Sequence, residues 1–260
     1  MKIVDLIYWL KPKEKLFLDF EKYVLDFDSP DKHRIFINRN SNILFVAHLD
    51  TVQKPKYIRQ RKTKSGKQKR IYACGLDDRL GCMIAFNLSE KLNADLLLCD
   101  NEESMNSTAQ YHNCKNYNWI AEFDRAGSDV VTYDLDCVEF RQAISKYWKI
   151  GLGLFSDIAQ LNTQACCMNV GIGYEFAHSK DSYVCVKTML QQIEKFIKFF
   201  NQYKDVKFIQ NCQEKYDYLP QYNFDECEIC GEIENSYIYG HNICRECFTD
   251  MLQQYCYDWI

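Results

Sequence analysis

Two histidines and a group of carboxylates recur in short acid-rich contexts: His48 and Asp50 in AHLDTV, Asp77 in GLDDRLG, Glu102 and Glu103 in DNEES, Asp124 in EFDRAG and His178 in FAHSKDS. Of these, His48, Asp77, Glu103, Asp124 and His178 offer two imidazoles and three carboxylates. That set is a ligand complement for two hard-to-borderline divalent ions sharing one bridging carboxylate. Two ions about 3.5–4 Å apart polarise a scissile carbonyl and lower the pKa of a shared water, while the ligand carboxylates offset the dication charge. A neighbouring carboxylate that is not itself a ligand is then needed to take the proton of that water. The residues read as the site of a two-metal hydrolase.

The elements expected to carry these groups form an α/β arrangement. Arg34 to Ile37 and Ile43 to Ala47 have the β-branched and aromatic content of strands, and the second delivers His48 at its carboxyl end. After Asp77, apolar Leu80, Met83, Ile84, Leu88 and Leu92 recur at helical spacing, so Asp77 falls just before a helix N-terminus. Leu96 to Cys99 is a buried strand ending at the glutamate pair, Trp119 to Phe123 ends at Asp124, and Ala165 to Ile172 is a further strand. Val184 to Tyr203 is an amphipathic helix with Val186, Leu190, Ile193, Phe196, Ile197 and Phe200 facing inward. Ligands at the carboxyl ends of successive strands are where open α/β sheets place their sites. The expected fold is therefore α/β, with a mixed, mainly parallel central sheet flanked by helices.

The five motifs, in this order, resemble those of the co-catalytic zinc exopeptidase superfamily of aminopeptidases, carboxypeptidases and deacylases, over roughly Ile43 to Tyr203. The resemblance implies that His48 and Asp124 hold one metal, that Glu103 and His178 hold the other, and that Asp77 bridges them. It makes Glu102 the general base and Asp50 the group that orients His48. It also implies two Zn2+, with Co2+ or Mn2+ as alternatives, and a cis peptide between Asp77 and Asp78. Asp157 in LFSDIAQL matches a motif near the substrate pocket of that superfamily, although a helix cap is an equal explanation. The 54 positions from Asp124 to His178 and the 29 from His48 to Asp77 leave no room for the lid insertions of larger members.

Three features stay open. Arg79 and Arg125 each follow a metal-site aspartate and suit either ion pairs within the fold or clamps for a substrate carboxylate. Gln53 to Arg70 carries Lys54, Lys56, Arg59, Arg61, Lys62, Lys64, Lys67, Lys69 and Arg70 with no acid, and reads as an exposed hairpin turning at Lys64 to Lys67. It is either a solvated edge or a contact for an anionic substrate or partner. The third feature is the role of the C-terminal cysteines, which begin after a change in character past Tyr203.

Cys227-x-x-Cys230 and Cys244-x-x-Cys247, thirteen residues apart, have the spacing of a tetrathiolate site for one structural Zn2+, with His241 as an alternative ligand. The second pair opens a helical run, so the module resembles a treble clef, and metal would supply its folding energy. Its role is scaffolding onto the catalytic domain, docking of a protein partner or contact with nucleic acid, the last opposed by the acidic flanks Asp225, Glu226, Glu228, Glu232 and Glu234. The expected organisation is a metallopeptidase-like domain over 1–203 without lid insertion, a linker over 204–222, and a zinc module over 223–260.

At 260 residues and 47% apolar content the chain can bury a sizeable core. The N-terminal apolar stretch is broken by Asp5, and no run approaches membrane-spanning length. With fourteen cysteines and no secretion signal, reduced thiols and a cytoplasmic location are expected. The net charge of −4 argues against nucleic acid as a partner of the whole protein. The function expected is hydrolysis of an amide bond, first as an aminopeptidase acting on peptides. Alternatives are a carboxypeptidase, a deacylase of small N-acyl amino acids, or a non-catalytic binding protein using residues 53–70 and the zinc module.

Overall fold

A computed structural model of the chain describes residues 3–26, 28–63, 66, 68–210, 237–238 and 241–242. It divides into two compact units, Met1–Gln210 and Asn211–Ile260. The first opens with two short helices, α1 (Ile3–Trp9) and α2 (Lys13–Asp19), followed by strands β1 (Val24–Leu25), β2 (Arg34–Ile37) and β3 (Ile43–His48). A hairpin follows, β4 (Lys56–Lys62) and β5 (Lys69–Cys74), then helix α3 (Leu76–Leu92), β6 (Asp95–Cys99), β7 (Trp119–Arg125) and β8 (Val130–Val131). The unit ends with α4 (Val138–Ser145), α5 (Asp157–Gln160), β9 (Cys166–Gly171), β10 (Tyr174–Glu175), β11 (Tyr183–Cys185) and α6 (Val186–Tyr203).

The main sheet has the order β1-β2-β6-β3-β7-β9-β8. Its middle strands β6, β3, β7 and β9 are parallel, and β1, β2 and β8 add antiparallel margins. β2 and β3, though consecutive, do not pair with each other, because β6 lies between them. The turn that separates them is tied down instead by the buried Asp95 carboxylate, which accepts from the N–H groups of Arg39 at 2.7 Å and Ser41 at 3.1 Å.

The middle strands are apolar on both faces because both faces are covered. Ile43, Phe45 and Ala47 of β3 join Trp119, Ala121 and Phe123 of β7 in the larger core with α1, α3 and α6. The alternate residues Leu44, Val46, Leu97, Ile120 and Cys167 pack on the opposite side with Ala109, Ile158 and Leu161. The larger core is strongly aromatic: Phe123 lies 4.8 Å from Phe196 and Trp119 lies 5.3 Å from Phe199, ring centre to ring centre. The inward stripe of α6 corrects the expected one, since its buried residues include Met189, Gln192, Phe196, Phe199, Phe200 and Tyr203, whereas Leu190 is 49% exposed. Met189, Gln192, Phe196, Phe199 and Tyr203 follow the helical repeat through a line about 100° away from Leu190, and Gln192 is admitted because Trp148 and Ser128 bond its amide.

A second sheet, in the order β10-β11-β5-β4, is antiparallel throughout. Thr63 N–H donates to Gln68 O at 2.7 Å across the β4–β5 turn, and Lys64, Ser65 and Lys67 of the expected turn lie outside the described residues. The compact unit runs past Tyr203 to Gln210, with Phe208 buried against Phe140 and Tyr203. No helix among the described residues is long and apolar enough to cross a membrane.

In the second unit the described residues form one antiparallel pair, β12 (Tyr237–Ile238) with β13 (His241–Asn242). Cys227, Cys230, Cys244 and Cys247 lie outside the described residues.

Candidate metal centre

The seven groups singled out by motif converge at the carboxyl end of the parallel strands. β3 ends at His48, the turn after β6 presents Glu102 and Glu103, and β7 carries Asp124 near its end. Asp77 lies at the start of α3, where it and Asp78 are non-helical and the peptide joining them is cis, as the resemblance implies. The regular helix therefore begins behind the aspartates. Gly81 lets this turn close, because a Cβ there would collide with the Asp78 carboxylate and the Phe123 carbonyl. His178 comes from the segment between β10 and β11.

The geometry centres on Asp77. Its Oδ1 lies 3.4 Å from His48 Nε2 and its Oδ2 lies 3.1 Å from His178 Nε2. Asp124 Oδ1 is 3.4 Å from His48 Nε2, and Glu103 Oε2 is 3.0 Å from His178 Nε2. Glu102 Oε2 faces the same region at 3.7 Å from His48 Nε2. His48 is fully buried, yet its Nε2 finds no hydrogen-bond partner among the described residues. An imidazole nitrogen turned toward three carboxylates and bonded to none suits a ligand of a metal ion. Two ligands about 2.0–2.2 Å from one ion at a tetrahedral angle are themselves about 3.4 Å apart. The donor set is hard to borderline, as Zn2+, Co2+ or Mn2+ require.

The supporting contacts are as specific as the donors. Asp50 receives the N–H of Glu102 at 3.2 Å and of Glu103 at 2.9 Å, and lies 3.3 Å from His48 Nδ1. The Asp50 carboxylate thus sets the glutamate turn, while its main-chain O, 3.1 Å from His48 Nδ1, is the nearer partner of the imidazole. Asp78, which the motif reading did not single out, is fully buried and accepts from His48 N–H at 3.3 Å and Gly81 N–H at 2.9 Å. Its oxygens, Asp124 and His48 also fall within 4.8 Å of one another, as do those of His48, Asp77 and Glu103. Both Asp78 oxygens are occupied by main-chain donors, so it serves as an anchor of the loop while Asp77 remains free to face both imidazoles. Asn169 holds Asp124 by its main chain, accepting from Asp124 N–H at 3.0 Å and donating to Asp124 O at 3.2 Å. The rim is strained: Asn101, Met105, Phe176 and His178 all have φ between 57° and 63°.

Ionisation reflects this crowding. Burial and then the negative charge of Asp77 push Asp124 well above the usual carboxylate range, and burial does the same for Glu102, partly offset by His48. Burial opposes the charged form of His178, but its bonds to Asp77 and Glu103 outweigh that and push it up to about 11. His48 is likewise raised by Asp124 and Glu102 against its own burial. Asp77 is lowered, because His178 and His48 overcome the effect of burial. Without dications the cluster retains protons to balance its carboxylates, so binding of a dication there would release protons.

Of the three residues expected near substrate, Arg79 and Asp157 are buried and Arg125 is paired with a carboxylate. Arg79 is 1% exposed and donates through an NH1 to Trp9 O at 3.0 Å, which does not fit a clamp for substrate. Arg125 pairs with Asp129 through Nε and an NH2 at 2.7 and 2.6 Å. Asp157 is fully buried at the start of α5, accepts from Ser107 Oγ, and donates its N–H to Glu122 at 3.2 Å. It lies in a polar network with Glu122 and Ser156 rather than at an open pocket.

No family model matches the chain, and no curated protein matches it by sequence. The fold has solved counterparts. It is similar to aminopeptidase PepT from Bacillus cereus, with a TM-score of 0.52 and 10% identity over 76% of this chain and 96% of that one. A tripeptidase from Staphylococcus aureus gives 0.46 and 10% identity, covering 66% and 84%. The TET1 peptidase of Pyrococcus horikoshii gives 0.46 and 11%, covering 71% and 91%. At these identities the PepT likeness establishes a shared fold.

Proposed function

We propose that this protein is a metal-dependent peptidase with two divalent ions at the centre formed by His48, Asp77, Glu103, Asp124 and His178. The observation that carries the reading is the division of the Asp77 carboxylate between two imidazoles, His48 at 3.4 Å and His178 at 3.1 Å, with a separate carboxylate, Glu102, turned to the same space. His48 and Asp124 hold one ion, Glu103 and His178 the other, and Asp77 lies between. The bound ions supply Lewis acidity toward the scissile carbonyl and a water of lowered pKa. Glu102 would take a proton from the attacking water and pass it to the leaving amine. Asp50 keeps the imidazole of His48 and the N–H groups of both glutamates in place.

An aminopeptidase is the specific activity proposed, in keeping with the name of the PepT protein whose fold it shares. Cys227, Cys230, Cys244 and Cys247 would hold a structural Zn2+ of their own. Metal analysis of protein purified without chelator should then give three ions per chain. Assay of aminoacyl, carboxyl-terminal peptide and N-acyl amide substrates with added zinc, cobalt or manganese should give hydrolysis confined to free N-termini. Hydrolysis of N-acyl amides alone would make the protein a deacylase. Metal-replete protein inert on every class would overturn the reading.

A further inference from the structure

The second sheet grows out of the metal centre: each of its four strands has an end within six residues of Asp50, Asp77 or His178. Its strands carry six bases, Lys56, Arg59, Arg61, Lys62, Lys69 and Arg70, and one acid, Glu175, on the opposite edge strand β10. Ile71, Ala73 and Val184 are buried, so the alternate residues Arg70, Tyr72 and Tyr183 form the outer face. Pairing sets Arg59 beside Tyr72 and Tyr72 beside Tyr183. The Arg59 guanidinium lies 5.0 Å from the Tyr72 ring, that of Arg70 lies 4.2 Å from the Tyr183 ring, and the two tyrosine rings are 5.4 Å apart. Phe176, 64% exposed and two residues before His178, adds its ring 5.9 Å from Tyr183 and joins this face to the rim of the centre.

Among the described residues, Arg59, Arg61 and Arg70 have no carboxylate within ion-pair distance. A guanidinium laid on a ring is held in place while its N–H edges remain available for bidentate contact with a carboxylate. The rings themselves are already covered by guanidinia and by one another, which leaves no stacked platform for nucleic-acid bases beyond Phe176. Among the described residues β4 is the last strand of its sheet, so an extended peptide beside it would find main-chain partners. Side chains at alternate positions of such a peptide would meet Arg59 and Arg61, which are two residues apart on one face.

We propose that β4 and the outer face of this sheet bind the acidic downstream segment of an extended peptide whose first residue enters the metal centre. The proposal rests on the peptidase reading for the direction of the chain, while the surface itself is testable without turnover. Fluorescence anisotropy on full-length, zinc-loaded Glu102→Gln protein would compare three probes of equal length. These are a peptide with glutamate at alternate downstream positions, its glutamine counterpart, and an oligothymidylate.

The expected result is about tenfold tighter binding of the glutamate peptide at low ionic strength, shrinking as salt screens the contacts. Arg59→Gln with Arg61→Gln, both exposed positions, should bring the glutamate-to-glutamine ratio to about one, and the corresponding lysine pair should restore part of it. Unchanged near-ultraviolet circular dichroism would show that the double variant is folded. Arginine-dependent binding of the glutamate peptide by a protein that hydrolyses nothing would uphold the surface and remove the peptidase reading. Equal binding of the two peptides, or preferred binding of the oligothymidylate, would overturn the proposal.

Discussion

The two sheets of the first unit meet at the same ligands but handle charge in opposite ways. At the carboxyl end of the main sheet, His48, Asp77, Asp78, Glu103 and Glu122 are buried, and almost every oxygen there faces an imidazole or a main-chain N–H. On the second sheet five of the six bases are exposed and Arg70 is half-buried, and Arg59 and Arg70 lie against tyrosine rings rather than carboxylates. Burial makes an unmatched charge costly, so every group in the first region is fixed by several others. Water screens like charges on the second, so they can accumulate without partners. Substitutions should therefore be severe in the first region and mild in the second.

Asp77→Asn should give the largest effect. It removes the one carboxylate shared between His48 and His178, and should lower affinity at the centre by at least about 100-fold, read by metal titration. Glu102→Gln should leave the metal content intact and reduce turnover by at least about 100-fold, read by steady-state kinetics beside elemental analysis. Equal turnover in that variant would mean that Glu102 is not the base. Asp50→Asn should weaken metal binding by about 10–100-fold, since Asp50 holds the glutamate turn without facing both imidazoles itself.

A buried group away from the centre sharpens the same contrast. His112 is 5% exposed, packs its ring 4.6 Å from that of Phe36 at a tilt of 55°, and has no hydrogen-bond partner at either ring nitrogen among the described residues. Burial, aided by Arg34, lowers its pKa from 6.5 to about 4. Between those values the unfolded chain binds a proton there that the folded chain refuses. The stabilisation is thus complete above about pH 6.5 and is lost as the pH falls toward 4. His112→Phe should keep the ring contact and flatten the loss of Tm between pH 7 and 5. Identical pH profiles in parent and variant would show that this imidazole is not the group responsible. The smallest effect should come from Arg61→Gln on exposed β4, within about 0.5 kcal/mol of the parent in denaturant unfolding.

Much of the centre was legible because its chemistry is local. A histidine at the end of a strand, an Asp pair before a helix and a Glu pair after a strand are each short patterns whose neighbours set where the side chain emerges. The same local rules located β3, α3 and β6 closely. They placed the inward stripe of α6 one position off at Leu190, because the apolar arc of that segment is broad and only packing against β7 selects the part that is buried.

By itself, the sequence determined which residue types could chelate and in what order along the chain, since those follow from side-chain chemistry and spacing. Tertiary structure decided the rest. It set β6 between β2 and β3, spent Asp78 on the main chain of His48 and Gly81, and turned Arg79 toward Trp9 and Asp157 toward Ser107. It also laid Arg59 and Arg70 on tyrosines that are adjacent only through strand pairing. The partner of a carboxylate or a guanidinium is fixed by contacts between distant segments, and these exist only once the sheets have formed.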